Sequence, residues 1–309
     1  MRYFDGEMWT NQFHSPGQLP DVGSWLNNTF SGLASHWQGA VAIALATTLV
    51  SNLVVLYALR SVIGDLGWVN DELTGWSANT AVGVGAIALF SLAWQGFGWI
   101  AINRYMQRAH HQAGPSVAEA CIHALKRLPK YVAIVVGLLI AGLLAIALVA
   151  VVSLVLPFLG LLVVVALLIG SVWLFVKLTF LSAALAAGPS DVSPIRASAS
   201  VSTGRFWGVF GRIVLFTLVV GIAGTIIGTS VTAVAGVGPT LDTEPFFDSI
   251  STTDDGFEVD NIAFGQFFDS GNLLGAIVVS SLVQAATTLV TSSAFMRLYL
   301  DSGAPSELG

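Results

Sequence analysis

Residues 131–176 contain no Asp, Glu, Lys or Arg. A helix needs about 20 mostly apolar residues to cross a bilayer, because each residue adds roughly 1.5 Å across a hydrocarbon core of about 30 Å. This uncharged stretch is therefore long enough for two spans. Pro157 and Gly160 lie between them, and proline interrupts the hydrogen bonds of a helix. The sequence thus predicts two transmembrane helices joined by a tight turn.

Four further apolar stretches bring the predicted number of spans to six. The spans are residues 40–59, 81–101, 131–154, 158–184, 213–235 and 272–295. Composition agrees, since 55% of the side chains are hydrophobic and 10% are charged, against about 25% charged in soluble proteins. We predict an all-α integral membrane protein that forms one polytopic domain over residues 1–309. The N-terminal residues lack the basic stub and apolar core of a cleaved signal peptide.

The basic residues predict the orientation, because short cytoplasmic loops retain Lys and Arg. They cluster between spans two and three and between spans four and five, at Arg104, Arg108, Lys126, Arg127, Lys130, Arg196, Arg205 and Arg212. We therefore expect a multi-pass protein of the cytoplasmic (cell) membrane with both termini in the cytoplasm. The N-terminal segment is residues 1–20 and the tail is residues 302–309. Residues 236–271 hold many acidic residues and no basic one, so this loop is expected outside.

Three segments of similar character precede three of the spans: residues 21–37, 116–132 and 193–213. Each opens with Asp or Ser, which are good helix N-caps. Apolar residues then recur at helical spacing, among them Trp25, Leu33 and Trp37, then Cys121, Leu125 and Leu128, then Ile195, Ala199 and Phe206. The pattern predicts amphipathic helices that lie in the inner interface. It also predicts a three-fold internal repeat, in which each interfacial helix is followed by a transmembrane hairpin.

The third of these segments carries a motif. Ser193, Pro194, Ala197 and Ser200 are followed by the run Thr203-Gly204-Arg205-Phe206-Trp207, and Lys177 lies in the preceding span. This arrangement resembles the glycerophosphoryl diester phosphodiesterase membrane-domain family. The C-terminal Tyr299 and Asp301 resemble the closing element of that family, although the basic residues that follow there are missing here. The resemblance covers the membrane part only, because six spans leave no room for the phosphodiesterase domain, and it implies no chemistry of its own.

Lys177 is the ionisable residue that the predicted spans place deepest. It lies seven residues, roughly 10 Å, from the predicted inner end of span four. A charge there costs several kcal/mol unless it is paired or solvated, so Lys177 is a candidate for contact with a lipid or an anionic ligand. The alternative is that its side chain reaches the inner headgroups or a backbone carbonyl and only orients the helix.

Span six carries an unusual number of polar residues, with Gln284, Thr288 and Thr291 on one face. Such residues either line a hydrated path or form hydrogen bonds between helices, and packing is the favoured interpretation. In span five, Gly224 and Gly228 have the GxxxG spacing that permits close approach of a second helix, here expected within the chain.

The sequence offers no pattern for catalysis or for a metal. His110, His111, Cys121 and His123 lie in one region, but there is no HExxH, no CxxC and no repeated spacing. The predicted spans contain no interior His, Asp or Glu that would serve as acid, base or metal ligand. We therefore expect no cofactor, no metal and no enzymatic activity. The net charge of −6 argues against binding to nucleic acid.

Two kinds of partner are suggested. Arg205, Arg212, Lys126, Arg127 and Lys130 are candidates for contact with anionic lipid headgroups, unless they only obey the positive-inside rule. Phe246, Phe247, Phe267 and Phe268 in the acidic loop are candidates for contact with a protein partner, unless they pack on the helix ends.

The expected function is that of a non-enzymatic membrane module or accessory subunit that binds lipids or a partner protein. The alternative is a transporter or channel for a lipid or small amphiphile, in which Lys177 and Gln284 would line the path. One intramembrane charge and few broken helices weigh against transport. No feature of the sequence indicates an oligomeric state.

Overall fold

The fold is known from a computed structural model. It describes residues 2–4, 9–13, 19–63, 67–69, 72–74, 78–111, 114–234, 250–253, 256–259 and 272–306. Within these ranges there are eight helices: α1 (Val22–Ile63), α2 (Ala78–His110), α3 (Val117–Val155), α4 (Pro157–Leu178), α5 (Leu181–Ala187), α6 (Pro194–Ser202), α7 (Phe206–Val234) and α8 (Asn272–Asp301). Six helical stretches are long and apolar enough to cross a membrane. The prediction of a helical multi-pass membrane protein is confirmed.

Three short antiparallel hairpins, one before α1 and two in connections between helices, were not predicted from the sequence. They are formed by β1 (Arg2–Phe4) with β2 (Trp9–Phe13), β3 (Gly67–Val69) with β4 (Glu72–Thr74), and β5 (Ile250–Thr253) with β6 (Gly256–Val259). Strands of three to five residues carry too little alternating pattern to be read from sequence. The helical class of the described chain is unchanged by them.

The turn between α3 and α4 lies where the sequence predicts it. Leu156 leaves helical geometry at φ −141°, and Pro157 is the first residue of α4, where proline is tolerated because its missing N–H has no helical partner. A Cβ built on Gly160 would lie 2.8 Å from Ser153 Cα. Glycine at this position therefore allows the two helices to approach closely just after the turn.

The apolar helical stretch of span four runs from Phe158 to Ala187, but a turn that the sequence did not predict interrupts it. Helix α4 ends at Leu178, and a turn at Thr179 and Phe180 separates it from the short helix α5. Lys177 thus lies in the last turn of α4 rather than seven residues before the end of its helix. Neither Pro nor Gly marks this break, so the local sequence gives no sign of it.

The three predicted N-caps open helices. The Asp21 carboxylate accepts a hydrogen bond from Ser24 N at 3.0 Å, and Ser116 accepts one from Glu119 N. Ser193 occupies the N-cap position of α6, but its side chain makes no capping hydrogen bond. The segments then differ. The first leaves helical geometry at His36 (φ −133°, ψ 25°). The second runs on into α3 with Pro129 inside. The third is divided between two helices, because α6 ends at Ser202 and α7 begins at Phe206.

Small residues make the contacts in the second and third segments. Ala120 and Ala124 on α3 and Ala197 on α6 are buried, whereas Leu125 and Ile195 are exposed. Lipid tails are as apolar as leucine, so large aliphatic side chains gain little by leaving them, while small residues let helices approach closely.

The chain separates into two compact units. Unit 1 comprises Met1–Ile43, Gly96–Leu218 and Leu289–Gly309, and unit 2 comprises Ala44–Gln95 and Val219–Thr288. Aromatic rings form part of the core of unit 1: Trp25, Phe216, Phe295 and Phe180 contact one another in series at centroid distances of 5.6 to 5.9 Å.

Helices α7 and α8 pack together in unit 2 at the predicted glycine face. A Cβ on Gly224 would lie 3.4 Å from Thr287 Oγ1, and one on Gly228 would lie 3.8 Å from the Val283 methyl groups. The GxxxG spacing therefore serves packing within the chain, as predicted.

Candidate functional site

The short helix α5 ends in a cluster of cationic and polar side chains from α2 and α3. The last carbonyls of a helix have no partner within it, and positive charge is favourable there. Arg104 Nη1 donates to Ala186 O at 3.2 Å, His123 Nε2 lies 3.3 Å from Leu185 O, and Arg127 Nη2 donates to Gly188 O at 3.5 Å. We call Arg104, His123 and Arg127 the α5 cap.

Arg104 is the most deeply buried member of the α5 cap, with 8% of its surface exposed. It also donates to Gln107 Oε1 at 2.9 Å. Its Nη2 lies 3.8 Å from Glu119 Oε1, and Arg108 binds the same carboxylate oxygen at 2.9 Å. Asn103 Nδ2 donates to Ser182 Oγ at 3.1 Å and joins α2 to α5.

Sequence analysis counted Arg104 only as a marker of orientation and missed Asn103 and Gln107. The available signal was their spacing. Asn103 and Gln107 lie four residues apart, on one face at the end of an otherwise apolar helix. Both are almost completely buried, which is typical of a polar network inside a protein rather than of a solvated helix end.

Lys177 caps α6 from the last turn of α4. Its Nζ donates to Ala199 O and to Thr203 Oγ1, each at 3.2 Å, and it lies 5.6 Å from the centroid of the Trp173 ring. Ser198 Oγ donates to the carbonyl of Lys177 at 2.7 Å. Of the two interpretations drawn from the sequence, this geometry favours the one in which Lys177 reaches a backbone carbonyl and orients its helix.

Arg205 and Arg212 also bind backbone carbonyls. Arg205 donates to Val201 O at 2.9 Å through Nε and to Ser302 O at 2.7 Å through Nη2, so it joins the ends of α6 and α8. Burial lowers the pKa of the Arg205 guanidinium, although arginine stays charged in proteins. Arg212 donates to Gly208 O at 3.0 Å and to Pro20 O.

The family-like motif thus maps onto these helix ends. Thr203 Oγ1 donates to Ala199 O at 2.9 Å. Gly204, which lies between Thr203 and Arg205, has φ +76°. That left-handed conformation is one that glycine adopts readily and other residues rarely. The motif residues therefore end α6 and begin α7.

Two other basic residues lie on the exposed side of α3 and make a different kind of surface. Lys126 and Lys130 are exposed, and Ile122 and Leu125 expose 56% and 63% of their surfaces beside them. We call these four residues the lysine face. By helical spacing it lies opposite the buried Ala120, Ala124 and Tyr131. Arg127, which the sequence placed with Lys126, lies on the packed side.

Gln284 lies at a contact between α8 and α1 in unit 2. Asn52 Nδ2 donates to Gln284 Oε1 at 3.2 Å and to Ser281 Oγ at 2.9 Å. Thr48 Oγ1 donates to Ser281 O at 3.2 Å. These bonds support the packing interpretation of span six, and Asn52 is a member of the contact that sequence analysis missed.

The histidines that the structure describes do not assemble into a ligand set. His110 packs on α1, where a Cβ on Gly32 would lie 2.6 Å from His110 Cε1, while His123 belongs to the α5 cap. Among the residues described, no group of three His, Cys, Asp or Glu side chains is placed to hold a metal ion. Phe246, Phe247, Phe267 and Phe268, the candidates for partner contact, lie outside the described residues.

No family model matches the sequence, and neither a curated protein nor a solved structure matches the chain.

Proposed function

We propose that this protein is a non-enzymatic membrane module that binds anionic lipids of the cytoplasmic leaflet through the lysine face. One observation carries the proposal. Four of the six basic residues predicted from the sequence to contact lipids or ligands donate to backbone carbonyls inside the protein, whereas Lys126 and Lys130 are exposed.

The surroundings of these two lysines suit a lipid. A basic side chain near an anionic membrane surface contributes on the order of 1 kcal/mol of binding free energy. Ile122 and Leu125 lie within a turn of the lysines, so they offer apolar contact to the acyl chains beneath the headgroup. The lysine face therefore offers both charged contact to a lipid headgroup and apolar contact to the acyl chains.

The proposal includes the orientation and the repeat expected from the sequence. Both termini would lie in the cytoplasm and the acidic loop, residues 236–271, outside. When the three segments are aligned at Asp21, Ser116 and Ser193, the residues four and eight positions later are buried in every one: Trp25 and Thr29, Ala120 and Ala124, Ala197 and Val201. This shared burial supports a three-fold repeat of interfacial helices. A reporter fused within residues 236–271 tests the orientation, and its appearance in the cytoplasm would contradict it.

We also propose that the chain belongs to the glycerophosphoryl diester phosphodiesterase membrane-domain family. A protein partner is proposed to bind the phenylalanine-rich loop. The partner is tested by deleting residues 242–269 and comparing the proteins that co-purify. Transport of a small amphiphile is less well supported, because Gln284 is hydrogen-bonded to Asn52.

The lipid proposal is tested on detergent-purified protein titrated with phosphatidylglycerol, with bound lipid counted by native mass spectrometry. The double variant Lys126→Gln/Lys130→Gln is expected to bind phosphatidylglycerol at least about tenfold more weakly, since two surface charges are lost. Binding of phosphatidylcholine is expected to stay unchanged.

Lys177→Gln is the matched control. It removes the same charge, but from a side chain that caps α6, so its affinity for phosphatidylglycerol is expected to stay within about twofold of wild type. Unchanged phosphatidylglycerol binding in the double variant, or an equal loss in Lys177→Gln, would contradict the assignment of the lysine face.

A further inference from the structure

Trp207, in the first turn of α7, exposes 77% of its surface. Its indole ring is nevertheless held in place by two phenylalanines. It packs edge-on against Phe206 at a centroid distance of 5.4 Å and against Phe210 at 5.9 Å, and these two rings stack on each other at 6.0 Å. The ring is therefore exposed and oriented at the same time.

The face of α7 that begins with Trp207 continues as an apolar stripe. Val214 and Leu218 follow it by seven and eleven residues, which places them on the same side of the helix, and they expose 45% and 56% of their surfaces. The other side, with Val209 and Ile213, is buried. Because α7 is one of the helices apolar enough to cross a membrane, we expect lipid tails to cover this stripe.

The length of α7 places Trp207 at the level of the headgroups. The helix has 29 residues, hence a length of about 43 Å at 1.5 Å per residue, and a bilayer with its headgroups is about 40–45 Å thick. Both helix ends then lie within the headgroup layers. Tryptophan is enriched at that level, since its ring is apolar and its N–H is polar.

We propose that Trp207 is an interfacial anchor that inserts among the phospholipid headgroups and sets the depth of α7. Its partner is the lipid interface itself, whatever the headgroup charge. The anchor is thus independent of the lysine face, and either can fail without the other.

The test uses the full-length protein in phosphatidylcholine vesicles. The lipids carry bromine, which quenches tryptophan fluorescence, either close to the glycerol or near the chain ends. Subtracting the emission of Trp207→Phe from that of wild type isolates the emission of Trp207. This component is expected to be quenched more by the shallow bromines than by the deep ones, and only weakly by aqueous iodide.

Trp25→Phe is the control, because Trp25 is buried in unit 1 and its Nε1 donates to Ala294 O at 3.1 Å. The emission that it removes is expected to be insensitive to iodide and to both lipid quenchers. A Trp207 component quenched mainly by iodide, quenched most by the deep bromines, or insensitive to lipid bromine would overturn the proposal.

Discussion

Units 1 and 2 join their helices by different chemistry. In unit 1, arginine and lysine side chains bind the carbonyls at helix ends, as Arg104, Lys177 and Arg205 do. In unit 2 the helix contacts are neutral, formed by the amide of Asn52 and the hydroxyls of Thr48 and Ser281. The unit 2 residues whose side chains are described include no Asp, Glu, Lys or Arg. In the part of the chain that the structure describes, charged contacts between helices thus belong to unit 1, where several of them bind helix ends; an ion at mid-span would be costly.

The largest difference between the units is expected at Arg104. Arg104→Leu removes the bonds to Ala186 O and Gln107 and leaves Glu119 with one arginine fewer, so the free energy of unfolding should fall by about 3 kcal/mol. Titration with SDS in mixed micelles, followed by circular dichroism, measures the loss. Arg104→Lys, which keeps the charge near α5, should lose clearly less, and equal losses would show that charge on the helix end is unimportant.

Close approach of helices also differs between the units. A Cβ on Gly96 would collide with the buried ring of Tyr131, whereas one on Gly228 would meet Val283 at an ordinary 3.8 Å. Gly96→Ala should therefore destabilise by about 1–3 kcal/mol, as overpacking does. Gly228→Ala should change stability by less than about 0.5 kcal/mol. Thermal unfolding of the two variants in the same detergent checks the pair, and a more harmful Gly228→Ala would reverse the comparison.

Within unit 1, capping lysines should differ from exposed ones. Lys177→Met loses two hydrogen bonds to α6, and because the site is partly exposed we expect a loss of only about 1 kcal/mol. Lys126→Met, on the lysine face, should leave unfolding unchanged while weakening the binding of phosphatidylglycerol. If both variants unfolded alike, the division of the basic residues into capping and lipid-facing groups would be wrong.

The smallest effect is expected in unit 2. Asn52→Leu removes the hydrogen bonds to Ser281 and Gln284, and such bonds between membrane helices contribute on average about 0.6 kcal/mol. The same SDS titration should show a loss of that order. A loss as large as that of Arg104→Leu would mean that neutral contacts hold unit 2 as firmly as charges hold unit 1.

Much of the fold was predictable because it depends on local patterns. Uncharged stretches of sufficient length predict spans, Pro157 predicts a turn, and Asp21 and Ser116 predict helix starts, since each property acts through the backbone of its own segment. The break after Leu178 was not predictable, because no residue there is a helix breaker.

The sequence by itself determined that this chain crosses a membrane and where most of its helices begin, because apolar length and capping are properties of neighbouring residues. Only the tertiary structure decided what each basic residue does. Arg127 and Lys126 are adjacent in the chain, yet one binds Gly188 O and the other is exposed. Successive residues of a helix point about 100° apart, so the position of α5 beside α3 determines which of the two caps a helix and which stays exposed.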